Sequence, residues 1–440
     1  MTGGALLVRG AAFVWTGARV VEEADVLCAG GRVVEVAPGL SAPPGASVVD
    51  ARGCAVTPGL VNAHHHLLQS AFRTLPGTRH VAMRDWLGVM NEAYRSVDVD
   101  PELCGAAASA GLAEALLCGV TTVADHHLTW PAGADHAGMA AAVVAAAGEL
   151  GARLVFVRGT AGDEPDVAAA AAEALVGLLP APGGLVSLAV GPAGVHSDGR
   201  ATFDALREVA CKHGLARRTQ ANEQVDVVVA AQRYGRRPLE LLEEWGWLEE
   251  GVTVAHLCEI SEEEIARVAG SGATVTHAPG CDLPMGWGLA PAGALLDAGA
   301  VVGLGTSGGG SNDAGHLLAD ARLALQASPL SGRPLTAVEC LTMATRGSAL
   351  GLGRSDLGHL EPGAAADLNI YDLGGVADAG VADPLSGLVW ASPGRRPRDV
   401  AVAGEIVVRD GGLVAADDRA LAAALRALLT ARGTTGAAAR

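Results

Sequence analysis

Eight short runs of β character, each followed by a stretch of helical character, leave this chain few folds to choose from. The runs read "CAVTPGLVNAHHH", "GVTTVADHH", "ARLVFVRG", "LVSLAVGPAG", "LARRTQANE", "VTVAHLC", "ATVTHAPG" and "AVVGLGTSGG". Parallel strands linked by helices bury both faces of their sheet, and eight such units in succession can close into a (β/α)8 barrel. Two helix starts support the alternation. Ser261 with Glu264 and Thr336 with Glu339 have capping-box spacing, in which hydroxyl and carboxylate satisfy free N–H groups of the first turn. The rival is an open doubly wound sheet, which favours a phosphate-binding glycine turn after its first strand, where this chain has "NAHHH".

The flanks have a different texture. The first stretch, to residue 57, alternates apolar and polar residues and turns at glycine pairs, as in "ADVLCAGGRVVEVAPG". The other end repeats the pattern in "ADLNIYDL" and "DVAVAGEIVVRDGGLV", then runs into an Ala-rich helix and a tail expected to fray. A small β domain built from 1–57 and 357–440, with the barrel at 58–356 inserted between them, is the expected organisation.

Charge and composition exclude several partners. A formal charge of -17 with no Lys/Arg cluster argues against nucleic acid, whose binding depends on clustered cations that release counterions. The longest oily run, "MAAAVVAAAGEL", is interrupted by Glu149 and falls short of the roughly 20 residues of a spanning helix, so no membrane segment is expected. The N-terminus reads as alternating strand rather than a leader, and the expectation is a cytoplasmic protein. Eight cysteines without a CxxC pair suit buried, reduced thiols.

In a parallel barrel the C-terminal strand ends open into one mouth, so polar residues far apart in sequence converge there. The strand ends here supply His64, His65, His66, His126, His127, Glu223, His256, His277 and Ser307. His64 and His66 are two apart, so on a strand their rings leave the same face and could chelate a divalent cation, while His65 leaves the other. The spacing alone equally allows a polar strand cap. His196 and His213 read as hydrogen-bonded packing residues. "GLGTSGGG" lacks the Lys-Ser/Thr of a phosphate loop, which excludes a nucleotide-triphosphate site.

"TPGLVNAHHH" resembles the strand-one signature of the amidohydrolase superfamily, metal-dependent hydrolases with a (β/α)8 barrel inserted into a small β-sandwich. "TTVADHHLTWP", "VAHLCEIS", "DLPMGWGLAP" and "GLGTSGGGSNDAGHLLADARLAL" are most similar to its triazine hydrolase and 8-oxoguanine deaminase branch, the triazine hydrolase form in particular. The resemblance spans nearly the whole chain. It implies a zinc site, or one for iron or manganese, at His64, His66 and His256. It also implies metal-activated attack of water on an N-heteroaromatic ring carbon bearing an amino group or halogen, with Glu223 as proton shuttle. His277 and Ser307 take supporting catalytic places, and Gln69, Trp86, His127, Asp282, Trp287 and Asn312 are assigned to substrate binding, Asp282 and Asn312 as residues that fix loops in the mouth. For the tryptophans, core packing is an equal reading, and an isolated Glu223 could instead pair with Arg218 or Arg73. A homodimer is the implied assembly.

Two positions depart from the family. Three residues before the glutamate a histidine ligand gives way to Gln220, and at the end of strand eight an aspartate gives way to Ser307. A neutral amide is a poorer partner for zinc than imidazole, so Gln220 as a ligand implies weaker metal binding. The departures leave open a diverged barrel that catalyses a non-hydrolytic reaction in a specialised pathway or only binds a ligand.

Overall fold

The computed structural model describes residues 4–179, 184–391 and 393–433. The end of the tail expected to fray, 434–440, lies outside them. The chain opens with β1 (Leu6–Trp15), β2 (Val20–Ala29), β3 (Arg32–Ala37), β4 (Ser47–Asp50) and β5 (Cys54–Pro58). The barrel strands follow: β6 (Leu60–His66), β7 (Val120–His127), β8 (Arg153–Thr160), β9 (Val186–Pro192), β10 (Ala216–Ala221), β11 (Val252–His256), β12 (Thr274–His277), β13 (Val302–Leu304) and β14 (Ser307–Gly308). The chain then returns to the first sheet with β15 (Leu368–Asp372), β16 (Asp399–Val402), β17 (Glu405–Arg409) and β18 (Gly412–Leu413).

The barrel strands form one parallel sheet in chain order from β6 to β13, with β14 alongside β6. β13 and β14 are one strand broken at Gly305–Thr306: the first half pairs with β12, the second with β6, and the sheet thereby closes. That closure excludes the open doubly wound alternative. It needs glycine at 305, where a Cβ would stand 2.7 to 2.9 Å from atoms of His64, two of them backbone. The barrel strands are buried along their length, as parallel sheets covered by helices require. Both capping boxes form at Ser261–Glu264 and Thr336–Glu339.

The second sheet joins the two ends of the chain. β15 runs antiparallel to β5, and the order is β18-β17-β16-β15-β5-β1-β2-β3. The first run read from sequence as one strand is in fact two, divided at Gly59: Cys54–Pro58 belongs to the end sheet and Leu60–His66 to the barrel. A Cβ at Gly59 would come within 2.4 Å of Thr121 Oγ1, so the step between sheets demands glycine. Buried Arg153 of β8 clamps Asp367 with two bonds of 2.7 and 2.9 Å, tying the barrel to the end sheet. The C-terminal helix Asp418–Ala431 leaves that sheet and packs on the barrel helix Pro101–Leu117. Among the described residues no helix is long and apolar enough to cross a membrane, and no cysteine is disulfide-bonded; six of the eight are buried, with Cys211 exposed.

Candidate active site

The strand ends gather four imidazoles. His64 and His66 leave one face of β6 with ring centres 4.8 Å apart, and His256 of β11 lies 5.1 Å from His64. His126 of β7 completes the group, 5.8 Å from His64 and 6.0 Å from His66. His65 points the other way, its Nδ1 2.9 Å from Thr306 Oγ1. Backbone strain concentrates here: Asn222, His256, Leu257 and Ser307 have φ of 51°, 74°, 62° and 53°, a region costly for residues with a Cβ and common at functional sites.

Hydrogen bonds on one side of these rings set which nitrogen is left free. His66 Nδ1 donates to the His126 carbonyl (2.7 Å), His126 Nε2 to the Gly191 carbonyl (3.0 Å), and His256 Nδ1 to Asp282 (2.8 Å). His64 Nε2, His126 Nδ1 and His256 Nε2 are buried with no hydrogen-bond partner. A buried polar atom left without a partner is costly, and a cation bound among these rings would relieve that cost. Two imidazoles on one tetrahedral zinc, with bonds of about 2 Å, have ring centres roughly 5 Å apart. The spacings of His64 with His66 and with His256 fit that figure; His126 stands about an ångström further out. The donor set therefore suits a borderline cation such as zinc. Burial also holds His66 down to about 4 and His126 to about 3, and His64 well below its ordinary value, so their lone pairs stay available at neutral pH. His256 differs: burial pulls it down, but the Asp282 and Glu223 carboxylates outweigh that and raise it to about 9. Among the described residues, the group of three whose ligand atoms all lie within 4.8 Å of one another is His256, Cys258 and Asp282, drawn together by the His256–Asp282 bond.

Glu223 follows β10 and opens the helix Gln224–Tyr234. It pairs with neither arginine considered from sequence. Arg218 donates to the carbonyls of Ala63 and Gly351, and Arg73 binds Glu114. Glu223 is 2% exposed, and its Oε2 has no partner. Desolvation pushes its carboxyl up to about 7, against the pull of His256, 3.8 Å away.

A cavity of about 130 Å³ opens over this group, lined among others by His66, His126, Gln220, Glu223, His256 and Ser307. Gln220 Nε2 donates to the Ala193 carbonyl (3.1 Å), which leaves its amide oxygen as the group it can offer. Trp86 and Trp287 reach the cavity as an edge-to-face pair 5.2 Å apart, each also donating its indole N–H to a backbone carbonyl. They are core and cavity wall at once. Gln69 lines the cavity too, and its Oε1 accepts from Gly310 N (3.0 Å). The glycines of "GTSGGG" serve this contact, since a Cβ at Gly308 would stand 1.9 Å from that oxygen. His127 packs against Trp130 and Phe156, and its ring nitrogens are buried without a hydrogen bond, Nδ1 lying 3.8 Å from Asp125 Oδ2.

Three residues expected at the site stand behind the cavity wall. Asp282, assigned from sequence to substrate, instead grips His256. Asn312 bonds the Thr306 carbonyl and Asp320, both at 2.9 Å, and so braces the loop. His277 is buried beside this group, lowered to about 4 by desolvation, with Nδ1 unpartnered. His213 does pack as expected, its Nε2 bonded to Glu173 (2.8 Å). His196 does not: it lines the cavity and is bonded to Asp226. No local signal marks that pair, because its members are 30 residues apart.

A profile of the amidohydrolase family matches residues 55–407. The chain belongs to the amidohydrolase family. As a member it is a metal-dependent hydrolase. It is 34% identical to the 8-oxoguanine deaminase of Pseudomonas aeruginosa over 410 residues, covering 89% of this chain and 90% of that one. It is likewise 34% identical to the 5-methylthioadenosine/S-adenosylhomocysteine deaminase of Natronomonas pharaonis, covering 90% and 91%. The crystal structure of atrazine chlorohydrolase from Arthrobacter aurescens TC1 complexed with zinc superposes with a TM-score of 0.90 at 36% identity, covering 96% of this chain and 100% of that one.

Proposed function

We propose that this protein hydrolyses a C–N or C–halogen bond of a small N-heteroaromatic molecule, using zinc, or iron or manganese, held by His64, His66 and His256 with Gln220 as a further, weaker ligand. The observation that carries the reading is Glu223: a buried carboxylate with a free oxygen, raised to about 7, beside imidazoles whose free nitrogens have no other partner. The zinc complex of the chlorohydrolase and the deaminase relatives support the choice of metal and bond.

The bound cation would supply water of lowered pKa as nucleophile near neutral pH. Glu223 accepts a proton from the attacking water and returns it to the ring nitrogen or leaving group. Asp282 keeps the His256 ring oriented with Nδ1 protonated. Trp86 and Trp287 offer aromatic walls to a flat ring, while His127 and Gln69 offer polar edges. Ser307 occupies the strand-eight slot as a hydroxyl that can orient the water, with His277 behind it. We further propose a homodimer in the cytoplasm, on the strength of the family resemblance; light scattering of the purified protein checks the assembly.

The test is metal analysis of purified protein, then assay of zinc-, iron- and manganese-loaded samples against aminated and chlorinated triazines, purines and pyrimidines, reading ammonia or chloride release. Inactivity of all three samples refutes hydrolysis. That outcome would favour the diverged, non-hydrolytic barrel that Gln220 raises.

A further inference from the structure

The cavity holds a second carboxylate–imidazole pair that the hydrolytic step does not use. His196, between β9 and the helix Arg200–His213, lines the cavity, and its Nδ1 meets Asp226 Oδ1 at 2.7 Å. The same oxygen accepts from the His196 backbone N–H (3.1 Å), so one carboxylate fixes both ring and loop. Gly194 makes room for the pair: a Cβ there would stand 2.8 Å from Asp226 Oδ1 and 2.9 Å from His196 Nδ1. Asp226 is wholly buried, and its other oxygen has no hydrogen-bond partner.

A buried carboxylate is costly without a counter-charge, and the group paired with Asp226 is this imidazole. Glu223, three residues earlier, adds a second acid nearby. Burial opposes charging of the ring, yet Asp226 and Glu223 outweigh it and raise His196 above its ordinary value. As the imidazolium that the buried Asp226 carboxylate favours, the ring gives Nδ1–H to Asp226 and leaves Nε2–H for a ligand. A substrate oxygen at that place would accept a charge-assisted bond, whereas an amino group would set donor against donor.

We propose that His196, clamped by Asp226, is a specificity residue whose Nε2–H binds an exocyclic oxygen, so that the preferred substrates are aminated or halogenated N-heteroaromatics that also carry an oxo or hydroxyl group. The proposal rests on the reading of this cavity as a site of N-heteroaromatic hydrolysis.

The test compares matched ligands on the zinc-loaded protein, as dissociation or inhibition constants: guanine with 2,6-diaminopurine, and ammeline with melamine, where in each pair one oxo group replaces an amino group. The wild type favours the oxygenated member of at least one pair. His196→Phe shrinks that preference about 10- to 100-fold, Asp226→Asn shrinks it less, and His196→Gln, which keeps an N–H, retains part of it. If His196→Phe fails to fold, the other two variants carry the comparison. A wild type with no preference, or a preference unchanged in the folded variants, overturns the proposal and leaves hydrolysis standing. Failure of the wild type to bind any of the four or to turn over the wider panel overturns the underlying reading, and this proposal with it.

Discussion

Replacing Glu223 by glutamine should inactivate the protein and, at the same time, stabilise its metal-free form in a pH-dependent way. Burial raises the carboxyl from 4.5 to about 7. Between those values the folded state holds a proton that the unfolded state has released, so wild-type stability falls as pH rises through that window. At 1.36 kcal/mol per unit, the penalty above pH 7 is roughly 3 kcal/mol. Glutamine mimics the protonated acid at every pH and escapes it. Unfolding entropy of about 2.1 cal/mol/K per residue over 440 residues converts the penalty to a Tm difference of about 3 °C. Calorimetry of both proteins in EDTA should show melting points that coincide near pH 4.5 and separate above pH 7, Glu223→Gln being the higher. A difference independent of pH, or a less stable variant at pH 8, refutes the claim that a desolvated carboxylate sits at the mouth of the barrel. In the metal-loaded wild type the cation beside Glu223 would draw its carboxyl down from that metal-free value, so kcat/KM should rise with pH on a limb that lies below 7, and a profile without that limb counts against its role.

Three other perturbations probe the surroundings. Gln220→His adds an imidazole beside the existing donors and should tighten zinc binding at least tenfold, measured by chelator competition; no change would remove position 220 from the ligand set. Asp282→Asn loosens the hold on His256 and should weaken zinc about 10- to 100-fold without unfolding the protein, read by the same titration and by circular dichroism. Gly305→Ala drives a Cβ against atoms of His64, and overpacking of this kind costs about 1–3 kcal/mol. Denaturant unfolding should show that loss, and an unchanged midpoint would mean that the eighth strand closes the barrel more loosely than these contacts require.

The barrel, the end sheet shared by both termini and the strand ends that bear the chemistry are all written in local pattern. Periodicity, capping residues and the two-residue spacing of His64 and His66 depend only on neighbours along the chain, and so does the place of Glu223 after a strand. Tertiary structure alone decided what those residues meet. Gly59, which reads as part of one strand, is where the chain changes sheets, because Thr121 leaves no space for a side chain. Asn312 braces a loop, as its place in the sequence suggests, but that Asp282 holds His256 is decided only where the segment after strand seven folds back behind the wall. His196 reads as packing along the chain, and only the closed fold sets Asp226 against it. A hydrogen bond between residues distant in sequence leaves no periodic trace; it exists only once the barrel has closed and brought strands four and five side by side.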